Sequence, residues 1–340
     1  MKRLYIIILA AAAAALLASC AKNVPTGAND AGKRYLEAWI KINHPDAKKS
    51  GLGIYILDDT AGSGQEAGDP EDFPYALVSY TATDLEGNVL ESTEESVAKQ
   101  LGTYDPANNH YGPVVRLRNS TALTAGQEMV LNTMRVGGTR KAVIPGWFNT
   151  STVRYSTEED YLKNVTGDDS ILSVKLHEVI SDIDFWQIDS MARYMIRNLH
   201  ALPDSLKYGF YYIQTQAPSD TNGFDAGTSV YVNYTGRLLD GQVFDSSDEK
   251  TAKDAGIYNK NGSYSPMQVT MASEYTDIKT ASGSGGFVDG FSFCLSKMRT
   301  GEKGICIFYS DLGYQGTGSG MIPGFSPLRF DIEMIGTKLE

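Results

Sequence analysis

Two halves of this 340-residue chain repeat one series of short motifs in the same order. A glycine-led strand start, a Tyr-Thr-small triplet, a Met-Arg-X-Gly turn and a final alternating run each occur twice. They are Gly53–Ile56 and Gly209–Ile213, Tyr80–Ala82 and Tyr234–Gly236, Met134–Gly137 and Met298–Gly301, and Leu172–Glu178 and Leu328–Met334. Successive pairs are offset by 156, 154, 164 and 156 residues. A fixed order at nearly constant spacing predicts two copies of one supersecondary unit.

Each copy has the pattern of an antiparallel sheet with one short helix. The runs Leu172–Glu178 and Leu328–Met334 alternate apolar and polar residues, so each predicts a strand with one buried face. Apolar residues at helical spacing over Phe291–Met298, with Gly301 just beyond as a stop, predict a short helix. A sheet that covers one helix is an α+β arrangement.

Helical segments precede both copies and set the domain boundaries. Between Phe185 and Leu199 apolar residues recur at about every three or four positions, which predicts an amphipathic helix that Pro203 stops. Its apolar face is expected to pack the two units together, with a partner-binding helix as the alternative. The predicted division is 1–19 signal peptide, 20–34 flexible tether, 35–48 N-terminal helix, 49–182 first domain, 183–204 linker helix and 205–340 second domain.

The segment Tyr231–Ser247 holds the most specific chemical signal in the chain. An alternating strand passes through Tyr234, a tight turn follows at Asp240–Gly241, and Phe244 and Asp245 come side by side. An apolar ring beside a carboxylate, facing a second aromatic ring, suits a small pocket that desolvates an amide and still orients it.

This segment closely resembles the signature of the FKBP family of peptidyl-prolyl isomerases, and the resemblance runs from Gly209 to Lys338. It implies two FKBP-like units, each a curved antiparallel β-sheet wrapped over one short α-helix, with the second unit the closer match. The residues that match the family's catalytic positions are Tyr234, Phe244, Asp245 and Tyr314. Those that match its substrate-binding positions are Met267, Phe287, Val288, Phe291, Ile322 and Phe330.

The resemblance implies rotation about the bond before a proline, with proline-containing polypeptides as clients and no cofactor or metal. Amide resonance gives this bond a barrier of ~18–20 kcal/mol. Twisting the bond breaks the resonance, and an aromatic box favours the less polar twisted form. By the same resemblance, the Val288 N–H and the Tyr314 hydroxyl hold peptide carbonyls. Asp245, oriented by Tyr234, lies near the carbonyl that twists.

Each element of this site also has a plainer interpretation. Phe244, Phe291 and Phe330 can be ordinary core residues, and Asp245–Glu249 can be a solvated turn or a weak calcium loop. The combined motif favours the pocket, because a carboxylate that follows a buried phenylalanine needs a partner. The chain has only four histidines, widely scattered, so no metal site is expected.

The second copy departs from the family pattern at its floor and in its loops. Phe291 stands where the family usually has tryptophan, and Gln315 follows the loop tyrosine where glycine is usual. Two insertions, Glu249–Tyr264 and Ala272–Gly286, bring tyrosines and lysines toward the rim. They are expected either to contact substrate or to be surface elaboration.

The first copy keeps Tyr80 but lacks the rest of the pocket. Leu90–Glu91 replaces the Phe-Asp pair, Gln127 stands at the floor, and no tyrosine-glycine hairpin precedes an Ile-Pro pair. A polar floor without a lid does not form a dry box, so this unit is expected to keep the fold and to lack isomerase activity. It would then serve as a spacer, a homodimerisation face or a weak chaperone surface.

The N-terminus has the pattern of an export signal. Lys2 and Arg3 precede an apolar run over Leu4–Ala18, too short for a membrane anchor. Leu17–Cys20 resembles a bacterial lipobox, which implies lipidation of Cys20; an ordinary signal peptide with an incidental cysteine is the alternative. We therefore expect a lipoprotein outside the cytoplasm, attached to a membrane through its lipid. The residues after Cys20 lack an aspartate retention signal, which favours an outer membrane.

Charge and cysteine content narrow the function further. The formal charge is −11, which disfavours nucleic acid as a partner. Cys294 and Cys306 lie in apolar surroundings and are expected to be buried free thiols, with a single bridge as the alternative. The sequence thus predicts an exported isomerase that assists protein folding. The competing function is a non-catalytic peptide-binding or structural lipoprotein with chaperone-like activity.

Overall fold

The computed structural model describes residues 27, 29–51, 53–283 and 285–339. The predicted signal peptide, Cys20 and most of the predicted tether lie outside the described residues. Within the described part, fifteen strands form two antiparallel sheets, and each sheet has a short helix packed against it. The chain therefore has the α+β architecture that its repeat predicted.

The first sheet has seven strands in the order β1-β2-β6-β7-β3-β4, and β5 also pairs with β3. The strands are β1 Lys48–Lys49, β2 Tyr55–Thr60, β3 Tyr75–Thr83, β4 Val89–Ser92, β5 Val114–Leu117, β6 Thr139–Ile144 and β7 Ser170–Ile180. The helices up to this point are α1 Asp30–Asn43, α2 Glu95–Leu101, α3 Ala125–Leu131 and α4 Glu158–Asn164.

The second sheet has eight strands in the order β13-β12-β10-β15-β14-β9-β8, and β11 also pairs with β10. The strands are β8 Ser205–Lys207, β9 Phe210–Gln216, β10 Ser229–Leu238, β11 Val243–Ser246, β12 Met267–Thr270, β13 Lys279–Thr280, β14 Lys303–Phe308 and β15 Leu328–Gly336. The helices between and within the units are α5 Ile183–Tyr194, α6 Glu249–Asp254 and α7 Asp289–Lys297.

The two sheets share one topology. Strands β2, β6, β7 and β3 occupy the places that β9, β14, β15 and β10 occupy in the second unit, and β4 and β5 correspond to β11 and β12. The register corrects one detail of the repeat. Leu172 pairs with Ala82, and Phe330 pairs with the equivalent Gly236, so Leu172 matches Phe330 at an offset of 158 rather than 156. The shift is two residues, so the same face of the strand stays buried.

The short helix of each unit packs on its sheet through a glycine. A Cβ at Gly126 would lie 2.2 Å from Ile144, and one at Gly290 would lie 2.3 Å from Phe308. Helix α7 extends over Asp289–Lys297 rather than the predicted Phe291–Met298. Gly301 does not end it. This glycine lies in the turn into β14. Its φ of 76° is in the left-handed region, which favours glycine.

The two other predicted helices also differ in their bounds. The N-terminal helix extends over Asp30–Asn43 rather than the predicted 35–48, so residues 30–34 of the predicted tether are helical. The Asp30 carboxylate accepts the Gly27 N–H. His44 precedes a proline, and a residue in that position disfavours helical geometry. The linker helix α5 continues as one π-helical turn, Met195–Leu199, and stops at His200 with φ 53°, before residue 204.

Helix α5 joins the two units. Met191 and Met195 are fully buried against Ile307 of the second sheet. Gln187 accepts the Ser310 N–H at 2.8 Å, and the Arg329 guanidinium donates to the Tyr194 hydroxyl at 2.7 Å. At the start of the helix, Trp186 donates to Glu178 of the first unit. The apolar side of the helix thus packs mainly on the second unit, and its first turn is fixed to the first.

Cys294 and Cys306 are both buried and unpaired. Burial raises the pKa of the Cys294 thiol, and the neighbouring Cys306 raises it further. The described residues contain no group of three or more His, Cys, Asp or Glu arranged to bind a metal. None of the helices that the structure describes is both long and apolar enough to cross a bilayer.

Candidate active site

A cavity of about 610 Å³ lies in the second unit, between the start of α7, the strands β10 to β12, β15 and the segment Tyr314–Ile322. All ten residues that the sequence matched to the family's site line it. They are Tyr234, Phe244, Asp245, Met267, Phe287, Val288, Phe291, Tyr314, Ile322 and Phe330. The fold therefore brings together residues spread over nearly one hundred positions of sequence.

Aromatic rings form the floor and one wall of this cavity. Phe291, at the start of α7, is 3% exposed, and its ring centroid lies 4.8 Å from that of Phe330 and 5.2 Å from that of Phe287. Phe244 meets Phe330 edge to face at 5.4 Å, and Tyr234 meets Phe291 edge to face at 5.7 Å. Edge-to-face contacts at these distances stabilise a fixed ring arrangement. The cavity is therefore apolar at its base and preformed.

Gly236 makes this ring arrangement possible. A Cβ at this position would lie 2.4 Å from the Phe244 ring and 2.9 Å from the Phe330 ring. The strand β10 can therefore pass directly behind the two phenylalanines only because residue 236 has no side chain. The first unit has Ala82 at the equivalent position, opposite Leu172 instead of a phenylalanine.

The polar group of the cavity is the pair formed by Tyr234 and Asp245. The Tyr234 hydroxyl donates to Oδ2 of Asp245 at 2.8 Å, and the Asp245 carboxylate is exposed at the lip. Burial raises the pKa of Tyr234 far above its ordinary value, and the Asp245 charge raises it further. Burial likewise raises the pKa of Tyr314, with Asp245 adding to the effect. Both phenols therefore stay protonated and can act as hydrogen-bond donors.

The rim consists of a tight loop and the start of α7. Ser319 and Ile322 exchange two backbone hydrogen bonds of 2.9 Å, which hold the buried Ile322 side chain over the cavity. Gln315 has φ 52°, the left-handed region that explains why glycine is usual there. Val288 is the residue before the first turn of α7, and within the described residues its N–H donates to no other group.

Sequence reasoning missed five residues that also line the cavity. They are Ala107, Gly286, Ser319, Gly320 and Met321. Ser319, Gly320 and Met321 lie between the predicted site residues Tyr314 and Ile322, so their position in the sequence could have indicated that they line the cavity. Gly286 is the end of an insertion that was expected to contact substrate or to be surface elaboration. Ala107 belongs to the first unit, and nothing in its sequence context connects it with this pocket.

A family model described as FKBP-type peptidyl-prolyl cis-trans isomerase matches residues 221–335. FK506-binding protein 1A of Aspergillus fumigatus is 30% identical over 128 residues, which cover 36% of this chain and 93% of that protein. The chain belongs to the FKBP-type peptidyl-prolyl cis-trans isomerase family. Its second unit is the FKBP-type isomerase domain, here called the isomerase unit.

Three further proteins are similar to parts of this chain. Macrophage infectivity potentiator of Trypanosoma cruzi is 36% identical over 108 residues, which are 32% of this chain and only 42% of that protein. The solved structure of the three FKBP domains of wheat FKBP73 matches with 14% identity and a TM-score of 0.29, over 83% of this chain and 94% of that one. A peptidyl-prolyl isomerase structure from Pseudomonas syringae matches with 24% identity and a TM-score of 0.31, over 45% of this chain and 96% of that one.

The two insertions of the isomerase unit have different positions. The first carries α6 and a stacked pair, Tyr258 and Tyr264, whose ring centroids are 5.2 Å apart. Its Gly256 lies against Pro106 of the first unit, and no residue of this insertion lines the 610 Å³ cavity. The second insertion returns to the cavity at Gly286, and its Tyr275 accepts a hydrogen bond from Lys207 at 2.8 Å. Only the second insertion therefore borders the site.

The first unit has a smaller cavity, of about 370 Å³, at the equivalent place. Its lining combines aliphatic residues with Tyr80, Glu91, Arg116 and Gln127, so it has polar and aliphatic side chains where the isomerase unit has aromatic rings. The Arg116 guanidinium donates to the Tyr80 hydroxyl at 2.6 Å, lies over the Tyr80 ring and pairs with Glu91 at 3.7 Å. Leu90 is 61% exposed and points away from the cavity. The ring set that defines the isomerase pocket is not present here.

Proposed function

We propose that the isomerase unit accelerates cis–trans isomerisation of X-Pro bonds in polypeptides exported from the cytoplasm, while the protein is held at a membrane by a lipid on Cys20. The observation that supports this most is the apolar cavity with one carboxylate at its lip. Proline isomerisation takes tens to hundreds of seconds without a catalyst and can limit folding. Removal of ~8 kcal/mol from the barrier would give about a million-fold acceleration.

The proposed catalysis is preferential binding of the twisted amide. The proline ring enters the box formed by Phe244, Phe291, Phe330 and Tyr234. Twisting removes amide resonance and lowers the polarity of the C–N bond, so a desolvated apolar site stabilises the twisted form more than the planar one. No covalent step or proton transfer takes place.

Polar groups at the rim hold the peptide while its bond rotates. The Val288 N–H and the Tyr314 hydroxyl donate to carbonyls of the bound chain. Asp245, held by the Tyr234 hydroxyl, faces the carbonyl that rotates out of conjugation. The remaining predicted contacts, Met267, Phe287 and Ile322, close the apolar wall around the proline.

The catalytic proposal is tested with the full chain and matched substitutions in both units. The strand register places Leu90 and Glu91 where the isomerase unit has Phe244 and Asp245. Phe244→Ala and Asp245→Ala are therefore expected to lower the rate of cis–trans exchange of a proline peptide, measured by exchange NMR. Leu90→Ala and Glu91→Ala serve as controls and should leave the rate unchanged. Equal rates with and without the wild-type protein would favour the non-catalytic binding function.

The anchoring proposal has its own test, independent of catalysis. Cys20 lies outside the described residues, and the proposal is supported by the lipobox pattern around it. Expression with a labelled fatty acid should label the wild-type protein in a membrane fraction, and Cys20→Ser should remove both the label and the membrane association. Unchanged labelling in the Cys20→Ser variant would contradict a lipid on this residue.

A further inference from the structure

One loop of the first unit reaches the proline cavity of the isomerase unit. This loop, residues 103–112, follows α2 and leads to β5. Its Ala107 lines the same cavity as the phenylalanines of the site, although more than 120 residues separate it from the nearest of them in sequence. The cavity that the isomerase unit presents is thus partly built by the unit that lacks an aromatic pocket of its own.

Direct hydrogen bonds hold this loop against the hairpin that carries the catalytic pair. The Gln242 side-chain amide donates to the Pro106 carbonyl at 3.2 Å and to the Asn109 carbonyl at 2.9 Å. Gln242 precedes Phe244 and Asp245 by only two and three residues. The loop therefore contacts the isomerase unit immediately beside the residues that face the proline.

A charged contact at the turn of the hairpin adds to this attachment. His110 Nε2 lies 2.7 Å from Oδ2 of Asp240, and the His110 side chain is only 8% exposed. Burial raises the pKa of Asp240, but hydrogen bonds from His110 and from the Gln242 backbone outweigh it, so the net pKa is below the ordinary value. Asp240 is therefore ionised at neutral pH and accepts these hydrogen bonds as a carboxylate.

The loop is also ordered by its own hydrogen bonds. The Asp105 carboxylate accepts the Ala107 N–H at 3.2 Å and the Asn108 side-chain amide at 2.8 Å. The Tyr111 hydroxyl accepts the Asp105 N–H at 3.0 Å. A segment held at both its tip and its base presents Ala107 in a fixed position. The contact with the cavity is consequently part of a preformed surface.

We propose that the 103–112 loop is a wall of the substrate groove, and that its Ala107 contacts the client polypeptide beside its proline. This inference rests on the proposed isomerase function and extends its site to the first unit. The aromatic box holds the proline itself. The loop then meets residues that flank the proline, so its effect depends on the length of the substrate.

The experiment compares two substrates on the full chain. A tetrapeptide centred on proline tests the box alone, and a dodecapeptide with the same central residues reaches the loop. Ala107→Trp places a large ring at the wall and should raise the KM for the dodecapeptide about tenfold, equivalent to 1.4 kcal/mol, with kcat unchanged. The tetrapeptide should change by less than about twofold. Gln242→Met, which releases the loop, should also raise the KM for the dodecapeptide relative to the KM for the tetrapeptide.

Controls separate this wall from a general loss of structure. Ala61 is another exposed alanine of the first unit, outside the cavity lining, so Ala61→Trp should behave as wild type. Thermal unfolding of Ala107→Trp and Ala61→Trp should be unchanged, whereas Gln242→Met should lose the stability of two hydrogen bonds. If the ratio of the dodecapeptide KM to the tetrapeptide KM is the same in wild type and Ala107→Trp, the proposal that the loop is a wall of the groove is wrong, even if the protein is an active isomerase.

Binding measured in parallel decides the inference without catalysis. Fluorescence anisotropy of the labelled dodecapeptide should show weaker binding to Ala107→Trp than to wild type. If the wild-type protein binds the dodecapeptide but does not accelerate its isomerisation, the proposed function is wrong. The difference in peptide affinity between wild type and Ala107→Trp still tests whether the loop contacts the peptide. Equal affinity of the two proteins for the peptide would show that it does not.

Discussion

The two units of this chain have the same sheet topology but cavities lined by different side chains. Tyr80 and Tyr234 occupy equivalent positions, and each donates to a carboxylate, Glu91 in one unit and Asp245 in the other. In the first unit the Arg116 guanidinium lies over the Tyr80 ring. The strand register places the buried Val269 at the equivalent position of the second unit. The tyrosine-acid pair is therefore common to both, and the apolar ring set is what distinguishes the isomerase unit.

This difference shows that the fold does not depend on the proline pocket. Sheet and helix are joined by residues behind the cavity, and both units keep those contacts. Gly126 and Gly290 lie against equivalent strand residues, and Gly137 and Gly301 both have positive φ at equivalent turns. The floor position can therefore change from Phe291 to Gln127 while the architecture remains.

The cores of the two units also differ in charge. Arg118 is fully buried, pairs with Glu128 at 3.0 Å and donates to the carbonyls of Ala67, Gly68 and Phe73. At the equivalent positions the isomerase unit has Met271 and Ser292. The first unit therefore fixes its loops with a buried ion pair, whereas the second uses an apolar residue and a small hydroxyl.

The largest expected effect is on this buried pair. Arg118→Met should destabilise the first unit by about 3–5 kcal/mol, because it leaves Glu128 buried without its partner. The double variant Arg118→Met/Glu128→Ser, which copies the isomerase unit, should regain the part of that loss that comes from the unpaired Glu128, while the carbonyls of Ala67, Gly68 and Phe73 stay without their donor. Chemical denaturation with separate probes for each unit measures it. Equal destabilisation by the single and double variants would show that the pair does not act as a unit.

The next effect is on the floor of the isomerase pocket. Phe291→Gln introduces the first unit's residue and should lower kcat/KM about a hundredfold, equivalent to about 2.7 kcal/mol, since a polar amide replaces an apolar ring and can accept the Val288 N–H, as Gln127 accepts the Thr124 N–H. Phe291→Trp is the control and should remain active. Exchange NMR of the proline peptide measures both. An active Phe291→Gln variant would mean that an apolar floor is not required.

A smaller effect is expected from the acid of the pocket. Asp245→Asn keeps the shape but weakens the hydrogen bond from Tyr234, because the acceptor loses its charge. Activity should fall about tenfold, or 1.4 kcal/mol. The matched change Glu91→Gln in the first unit should have no effect on activity. A similar loss from both substitutions would contradict the assignment of catalysis to the second cavity.

The smallest expected effect is that of alkaline pH on activity. Burial raises the pKa of Tyr234 above the ordinary tyrosine value of about 10. A pKa that is higher in the folded protein than in the unfolded chain favours the protonated phenol. The stability that Tyr234 contributes is therefore complete below pH ~10 and is lost only as the pH rises through its pKa in the folded protein. Activity should therefore be flat from about pH 7 to pH 10. For Tyr80, burial together with Glu91 outweighs Arg116 and raises the pKa to about 12.

Phenolate absorbance gives the measurement for this prediction. The phenolate signal of Tyr234, identified by its loss in Tyr234→Phe, should stay absent up to about pH 10, where ordinary exposed tyrosines already titrate. A fall in isomerase activity with the midpoint of an ordinary exposed tyrosine would contradict a protonated Tyr234 as the partner of Asp245.

Much of the fold and the site could be read from the sequence, because both depend on local patterns. Alternating strands, the Met-Arg-X-Gly turns and the Phe244–Asp245 pair are short motifs, and the family pattern orders them. Contacts between distant segments could not be read. Arg116 reaches Tyr80 from a neighbouring strand, and Ala107 reaches a cavity in the other unit. Helix ends were also misplaced, because the hydrogen bond from the Gly27 N–H to Asp30 and the π-helical turn before His200 depend on local geometry.

The central claim is that proline peptides bind and isomerise in the second cavity and not in the first. The most direct measurement is titration of a proline peptide into the isotope-labelled full chain, with backbone amide shifts recorded by NMR. We predict that the amide shifts of Val288 and Ser319–Ile322 change and saturate together with the exchange rate of the peptide. The amide shifts of Thr124 and Gln127 should not change. Shifts at Thr124 and Gln127 that follow the same saturation would contradict the central claim.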